Sequence, residues 1–220
     1  MNAGTGAFAL QKAAWPNPER RLLTSVVGSS AAGLEFALEG TVNGAASALE
    51  TEAKQLDIAD WIPVAECDSP AGEPIPVFLN GHSGLGSPWW RDSFPCRYHG
   101  EGAAAARLTA VLESIVFMLT VNVDLIGRRT DAQSAVRISG GLSRLDGFCQ
   151  RLADLVRLPV ERPPQVEATA RGLAWLAFGS DEDWRLPAGA VFEPRRDTHL
   201  EDRFARWRSC MEEALQPDTV

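Results

Sequence analysis

Ala135-Val136-Arg137-Ile138-Ser139-Gly140-Gly141 is the stretch that decides how this chain reads. An apolar run predicts a strand over 135–139, and it stops at twin glycines. A helical pattern then starts at Ser143, with Leu145, Phe148, Leu152 and Leu155 at helical spacing. A strand that ends in two glycines and feeds a helix presents bare backbone N–H groups and a positive dipole end at one point. Without side chains there, a nucleotide or phosphate can approach the main chain. Glycines after a strand also serve as a plain turn, so the motif takes its meaning from its surroundings.

The chain has 220 residues, enough for one large domain or two small ones. Hydrophobic residues make up 45% and charged residues 23%, which predicts a packed core rather than a disordered chain. A net charge of −8 argues against nucleic acid or an anionic membrane as the main partner. Cys67, Cys96, Cys149 and Cys210 are scattered with no C-x-x-C spacing, and the only histidines are His82, His99 and His199. Neither a zinc site nor a disulfide framework is indicated, and a reduced, cytoplasmic setting is the expectation. The first residues carry no basic region or long apolar stretch, so no signal peptide is expected. The most apolar segment, 108–126, is interrupted by Glu113, Asn122 and Asp124 and reads as a buried helix.

Strands come first along the chain and helices later. Segments 7–13, 22–28 and 34–42 are short and apolar, separated by Pro16-Asn17-Pro18 and by 29–33, and read as a meander of three antiparallel strands. Asn43 is placed to cap a helix running from Gly44 to about Lys54. A further strand is expected over 74–79, followed by a Gly-, Ser- and Pro-rich loop over 80–100. Helix is expected over 103–126, an edge strand over 159–162, and an Ala-rich helix over 168–178 that ends near Gly179. The last helix sets Leu200, Phe204, Trp207, Met211 and Leu215 on one stripe, a core-facing pattern. One α/β domain spanning 1–220 is the economical reading.

Several short motifs are candidates for binding. Gly4-Thr5-Gly6 heads the first strand, where glycines flanking a hydroxyl can present the Thr5 Oγ and nearby N–H groups to a phosphate, or simply form a turn. Gly44 opens the next helix in the same manner. The glycines of 81–90 can cradle a ligand, whereas Trp89 and Trp90 read as cover for a core edge. Conventional catalytic constellations are missing: there is no G-x-S-x-G elbow and no G-x-x-x-x-G-K-[ST] loop. His82 beside Ser83 is no nucleophile–base pair, because sequence neighbours point apart in an extended chain. Asp181-Glu182-Asp183 reads as a solvated loop cluster rather than a metal site.

Taken in order, these segments resemble the C-terminal domain of the FGGY carbohydrate kinases. Gly4-Thr5-Gly6-Ala7-Phe8 is similar to the family's G-T-G-x-F, and Leu22-Leu23-Thr24 and Phe36-Ala37-Leu38-Glu39-Gly40 to its next two strands. Ser83-Gly84-Leu85-Gly86-Ser87-Pro88-Trp89-Trp90 resembles the T-G-L-G-A-P-Y-W loop, and Leu112-Glu113-Ser114-Ile115-Val116-Phe117 the L-E-G/S-I-A-Y helix. Ser139-Gly140-Gly141 with Gln150 and Ala153-Asp154 follows the D/G-G-G…Q-x-x-A-D spacing. Pro159-Val160-Glu161-Arg162-Pro163 and 167–174 resemble P-V-E-R-P and E-x-T-A-L-G-A-A. Each motif is short, but the ordered set covers nearly the whole chain.

The resemblance implies a ribonuclease H-like fold of the actin/hexokinase ATPase type, a mixed sheet with helices on both faces. It also implies that ATP or ADP lies in a cleft between two such domains. Carried over by position, Gly4, Thr5 and Gly6 would approach the terminal phosphates, and Gly140 and Gly141 the ribose and α-phosphate. Gly44 and Leu145 would border the nucleotide, and Phe8 the sugar or polyol. Phosphoryl transfer needs positioning and charge stabilisation more than covalent chemistry, which suits such a site. Glycerol kinases have Gln where this chain has Ala48 and Asn where it has Leu145, so two polar contacts, each worth roughly 0.5–1.5 kcal/mol, are expected to be lost. Ser139 and Arg91 also depart from the pattern, both standing where Asp is usual.

The family's catalytic Asp, its D-x-G-T phosphate loop and its magnesium carboxylates belong to the N-terminal domain, which this chain is expected to lack. No catalytic and no metal-ligating residue is therefore assigned, and Mg2+ is expected only together with that half. Two readings stand at this point. One is the nucleotide-binding half of a carbohydrate kinase that needs a separate N-terminal half; the other is a non-catalytic remnant or binding module that keeps the fold. Self-association through the uncovered cleft face is a further expectation.

Overall fold

The computed structural model describes residues 1–16, 20–31, 33–66, 74–179 and 187–216. Four strands form the first sheet: β1 (Asn2–Ala3), β2 (Ala7–Ala13), β3 (Leu23–Ser30) and β4 (Gly33–Val42). They are antiparallel in the order β1-β2-β4-β3. The sequence reading of a meander is corrected here, because β4 rather than β3 lies beside β2. The tight β3–β4 connection makes those two strands neighbours, while the longer connection after Ala13 lets β2 pair with the far side of β4, from Ala7↔Val42 to Ala13↔Phe36.

Small residues on the inner face of this sheet let a helix approach closely. Ala7, Ala9 and Ala13 are buried, and a Cβ at Gly40 would lie 2.6 Å from the Asn122 side chain. That side chain belongs to α3 (Ala104–Gly127), which packs on β2, β4 and β5 (Val77–Leu79). By length and hydropathy α3 could span a membrane, but 83% of its most apolar window is buried inside the protein. Its continuous apolar character comes from contacts on all sides with sheet and helices.

The second half is built on α4 (Asp146–Val156) and a three-stranded sheet of β7 (Val136–Arg137), β8 (Val160–Arg162) and β9 (Ala190–Phe192). β7 pairs parallel with β8, and β8 antiparallel with β9. The expected edge strand at 159–162 is thus central, since β9 covers its free side; nothing in so short a run as Ala190–Phe192 marks it as a strand. A parallel bridge between Asn2 and Ser139 joins this sheet to β1. The loop expected over 80–100 also contains a strand, β6 (Arg97–His99), paired with β5. Three more helices are α2 (Ile62–Glu66), which packs on α3 and α4, α5 (Ala168–Phe178), which has no buried residue, and α6 (Thr198–Ala214), capped by the Asp197 carboxylate accepting from Leu200 N–H at 3.0 Å.

The expected stripe on α6 does face the core, with Leu200, Trp207 and Met211 buried. Phe204 and Trp207 form an aromatic cluster with Phe117 and Trp89, and the Trp89 ring meets Trp207 edge-on at 6.1 Å. Beside it Glu113, 1% exposed, accepts two bonds from Arg203, each 2.7 Å, and has Arg151 at 3.6 Å. This charged triad ties α3, α4 and α6 together. Cys67 and the acidic run Asp181-Glu182-Asp183 lie outside the described residues.

Candidate functional site

The two glycine motifs, separated by more than half the chain, are locked side by side. Ala3 N–H donates to Ser139 O at 2.8 Å, and Ser139 N–H donates to Met1 O at 3.1 Å. Gly140 has φ +90° and ψ 173°, a conformation essentially reserved for glycine. A Cβ there would sit 2.5 Å from both the Ala3 carbonyl oxygen and Asn2 Oδ1. Gly140 is therefore used to press one loop against the other, and its N–H is taken by Val166 O at 2.9 Å. Gly141 is different: it is exposed, and a Cβ built on it would have no neighbour within 4 Å.

Thr5 is exposed on the neighbouring loop, and Phe8 is half-buried behind Gly6, where a Cβ would come 3.6 Å from the Phe8 ring. The Thr5, Gly6 and Gly141 N–H groups have no backbone acceptor among the described residues. Backbone donors without a backbone acceptor, beside the exposed Thr5 and Gly141, suit a phosphate or sugar–phosphate backbone. The cradle fits a nucleotide diphosphate in this respect.

The structure brings Gly44 to the same corner but uses it differently. α1 (Ala46–Gln55) starts two residues later than expected, with Ala45 at its N-cap and no side-chain cap. Asn43 does not cap it, because its Nδ2 instead donates to Ser83 O at 3.0 Å. The N–H groups of Ala45 and Ala46 donate to the carbonyls of Thr5 and Gly4, each at 3.0 Å, so they serve the glycine loop rather than a ligand. Gly44 itself is buried against His82, with a Cβ reaching 2.7 Å from the His82 Cβ, and its carbonyl accepts from Asn80 Nδ2 at 2.8 Å. The helix start thus braces the Gly4-Thr5-Gly6 loop from below.

Leu145 is turned into the core at 5% exposure, with its N–H donated to Leu142 O. Ala48, the other departure from the resemblance, is fully buried. The remaining motif residues hold the twin-glycine loop in place. Gly141–Arg144 forms a 3-10 turn whose last carbonyls, from Ser143 and Arg144, accept from Arg162 Nη1 at 2.9 and 3.2 Å. That guanidinium also reaches Asp146 Oδ1 at 2.7 Å and lies over the Phe192 ring. Gln150 and Asp154 bond to each other at 2.7 Å and clamp the chain at Glu193 and Arg195. No such supporting role is readable from the spacing of these residues.

One cluster escaped the sequence reading altogether. Glu52 of α1, His82 of the loop after β5 and Cys96 just before β6 bring one ligand atom each to within 4.8 Å of one another. His82 Nε2 lies 2.8 Å from Glu52 Oε1, and the Tyr98 hydroxyl donates to Glu52 Oε2 at 2.8 Å. Burial and the Glu52 carboxylate hold the Tyr98 hydroxyl well above its usual range. Elsewhere, burial pushes the Cys149 thiol up to about 12, which marks it as an inert packing group.

Comparison with known proteins identifies the family. Residues 1–180 match the model of the FGGY family of carbohydrate kinases, C-terminal domain. A glycerol kinase from Xanthobacter autotrophicus is 32% identical over 95% of this chain and 46% of its own length, and one from Sinorhizobium fredii is 29% identical over 96% and 46%. Among solved structures, glycerol kinase of Plasmodium falciparum with ADP superposes with a TM-score of 0.81 at 22% identity, covering 98% of this chain and 47% of that one. Xylulose kinase from Lactobacillus acidophilus gives a TM-score of 0.79 at 20% identity over 96% and 46%. The chain spans about half the length of the curated relatives it matches. A glycine-paired edge on a fold of the actin/hexokinase ATPase type, together with a family match over four-fifths of its length, makes this chain a member of the FGGY carbohydrate kinase family, corresponding to that family's C-terminal domain.

Proposed function

We propose that this chain is the nucleotide-binding half of an ATP-dependent carbohydrate or polyol kinase, working in the cytoplasm in carbohydrate metabolism. The observation that carries the proposal is the pinning of Met1–Ala3 to Ser139 and Gly140, which sets the Gly4-Thr5-Gly6 turn beside Gly141, with no backbone acceptor for the Thr5, Gly6 and Gly141 N–H groups among the described residues. ATP or ADP would lie along those donors, with the β- and γ-phosphates toward Thr5 and the ribose toward Gly141. The sugar or polyol would pass near Phe8. Bound Mg2+ would neutralise charge on the phosphates, and its carboxylate ligands belong to the N-terminal half. This chain's own part is to fix the nucleotide and to keep its backbone donors aimed without reorganisation.

The partner required is an N-terminal kinase half, encoded in the same or a separate chain. Exposed apolar side chains offer it a surface: Leu173, Leu176 and Phe178 on α5 are 69, 74 and 86% exposed, and Leu10 and Leu23 lie on the open face of the first sheet. In the absence of that half, the same surface would drive self-association. A second reading, a binding module that keeps the fold without the reaction, is favoured by the buried aliphatic character of Ala48 and Leu145. The two readings part in one experiment. Co-expression with an N-terminal half carrying a D-x-G-T loop and a catalytic Asp should give sugar-dependent ADP release, abolished by Gly141→Val in this chain. A complex that forms without ADP release would favour the binding module, and activity indifferent to Gly141→Val would overturn the placement of the nucleotide.

A further inference from the structure

The cluster of Glu52, His82 and Cys96 has the donor set and placement of a small metal centre. From these positions we infer that the chain binds one zinc-class divalent ion through the Glu52 carboxylate, the His82 imidazole and the Cys96 sulfur. Thiolate, imidazole and carboxylate together select zinc over the hard cations that accompany phosphates. Zinc–ligand bonds of about 2.0–2.3 Å place tetrahedral ligand atoms about 3.3–3.7 Å apart, so closing the present spread requires side-chain shifts on the order of 1 Å. Three protein ligands leave a fourth position for water.

The scaffold around the cluster is already rigid. A Cβ at Gly81 would fall 2.0 Å from Phe94 O, so the loops carrying His82 and Cys96 are pressed together with no slack. His82 is fixed at its backbone by Asn80 Oδ1, which accepts its N–H at 3.2 Å, and by the close approach of Gly44. The Tyr98 hydroxyl on the second Glu52 oxygen is the outer-shell partner that orients a ligating carboxylate. The Tyr98 ring in turn packs at a tilt against Phe78, with centroids 4.5 Å apart. Glu52 is 3% exposed, whereas Cys96 is exposed and provides the entry path.

Binding is a simple exchange of proton for metal. The Cys96 thiol releases its proton to solvent as the sulfur–metal bond forms. His82 Nε2 exchanges its contact with Glu52 for the ion, and its other ring nitrogen carries the proton. The ion would clip α1 to β6 and to the loop that supports Gly44, beneath the glycine edge. The inference stands whether or not the chain binds nucleotide.

Titration of the metal-free chain with Zn2+ against a chromophoric chelator tests it, with Co2+ as a spectroscopic probe. One equivalent should bind, raise the melting temperature, and with Co2+ give a thiolate charge-transfer band. Cys96→Ser, at an exposed position that does not threaten folding, should abolish the band and weaken Zn2+ binding at least tenfold. His82→Gln should weaken it similarly, and Cys210→Ser should leave it unchanged. Absence of stoichiometric binding, or a band and affinity that survive in Cys96→Ser, would overturn the inference.

Discussion

Substituting the two adjacent glycines separately should have very unequal consequences for the fold. Gly140→Ala places a methyl group in a backbone conformation with φ +90°, which costs about 1–3 kcal/mol for a residue other than glycine. Its Cβ also meets the Ala3 carbonyl oxygen and Asn2 Oδ1 at 2.5 Å, and Ala3 cannot retreat without breaking its own bond to Ser139. Overpacking of this kind adds about 1–3 kcal/mol, so the total is roughly 2–6 kcal/mol. For a domain of this size 1 kcal/mol moves Tm by about 2–4 °C, and Gly140→Ala should lower Tm by at least about 4 °C. Gly141→Ala adds a methyl group to open space at an ordinary φ, and should change stability by about 1 kcal/mol at most. Urea denaturation of both variants beside the parent reads the difference. A Gly140→Ala midpoint equal to the parent's, or a Gly141→Ala midpoint lowered as far, would refute the assignment of one glycine to packing and the other to the open edge.

Arg203→Ala should destabilise the fold by about 3 kcal/mol, because it strips Glu113 of two bonds in a buried setting, and replacing the whole triad by Arg203→Met, Glu113→Leu and Arg151→Met should recover most of the loss in denaturation. Arg162→Ala should speed amide exchange across Gly141–Arg144 while leaving α3 protected, as seen by hydrogen-exchange mass spectrometry. The raised pKa values of Tyr98 and Cys149 have a definite sign. Their contribution is whole below the unfolded values, near 10 and 8.5, and is lost as pH rises toward the folded ones. Stability should therefore fall from about pH 9 upward, and Tyr98→Phe should flatten the part of that fall above about pH 10; an unchanged slope would contradict it. Cys149, buried and bonded to Ser143 O at 3.2 Å, should react with a thiol reagent at pH 8 only on unfolding, whereas Cys96 should react in the native state.

Where structure is dictated locally, the sequence could be read directly. α3 and α6 carry their stripes in the spacing of apolar residues, and α5 ends at Gly179 as its glycine predicts, with φ +83°. Structure dictated by distant partners was not legible. β6 and β9 are three-residue runs whose only warrant is the strand beside them. Asn43-Gly44 has the form of a helix cap, yet Asn43 answers to Ser83 and Gly44 to Asn80, 40 and 36 residues on. The glycine motifs were visible as candidates, but Gly140 and Gly141 are neighbours with different tasks, and only the position of Ala3 distinguishes them. Glu52, His82 and Cys96 were invisible as a group because 30 and 14 residues separate them, outside any ligand spacing a linear motif can express.

Hydrogen exchange of the chain with and without saturating ADP tests the nucleotide edge most directly. The account predicts slowed exchange at the Thr5, Gly6 and Gly141 amides, and the loss of that protection in Gly141→Val at an unchanged Tm. Protection appearing instead along Leu10, Gln11 and Ala132–Arg137, which line a separate hollow of about 340 Å³, or nowhere at millimolar ADP, would contradict it.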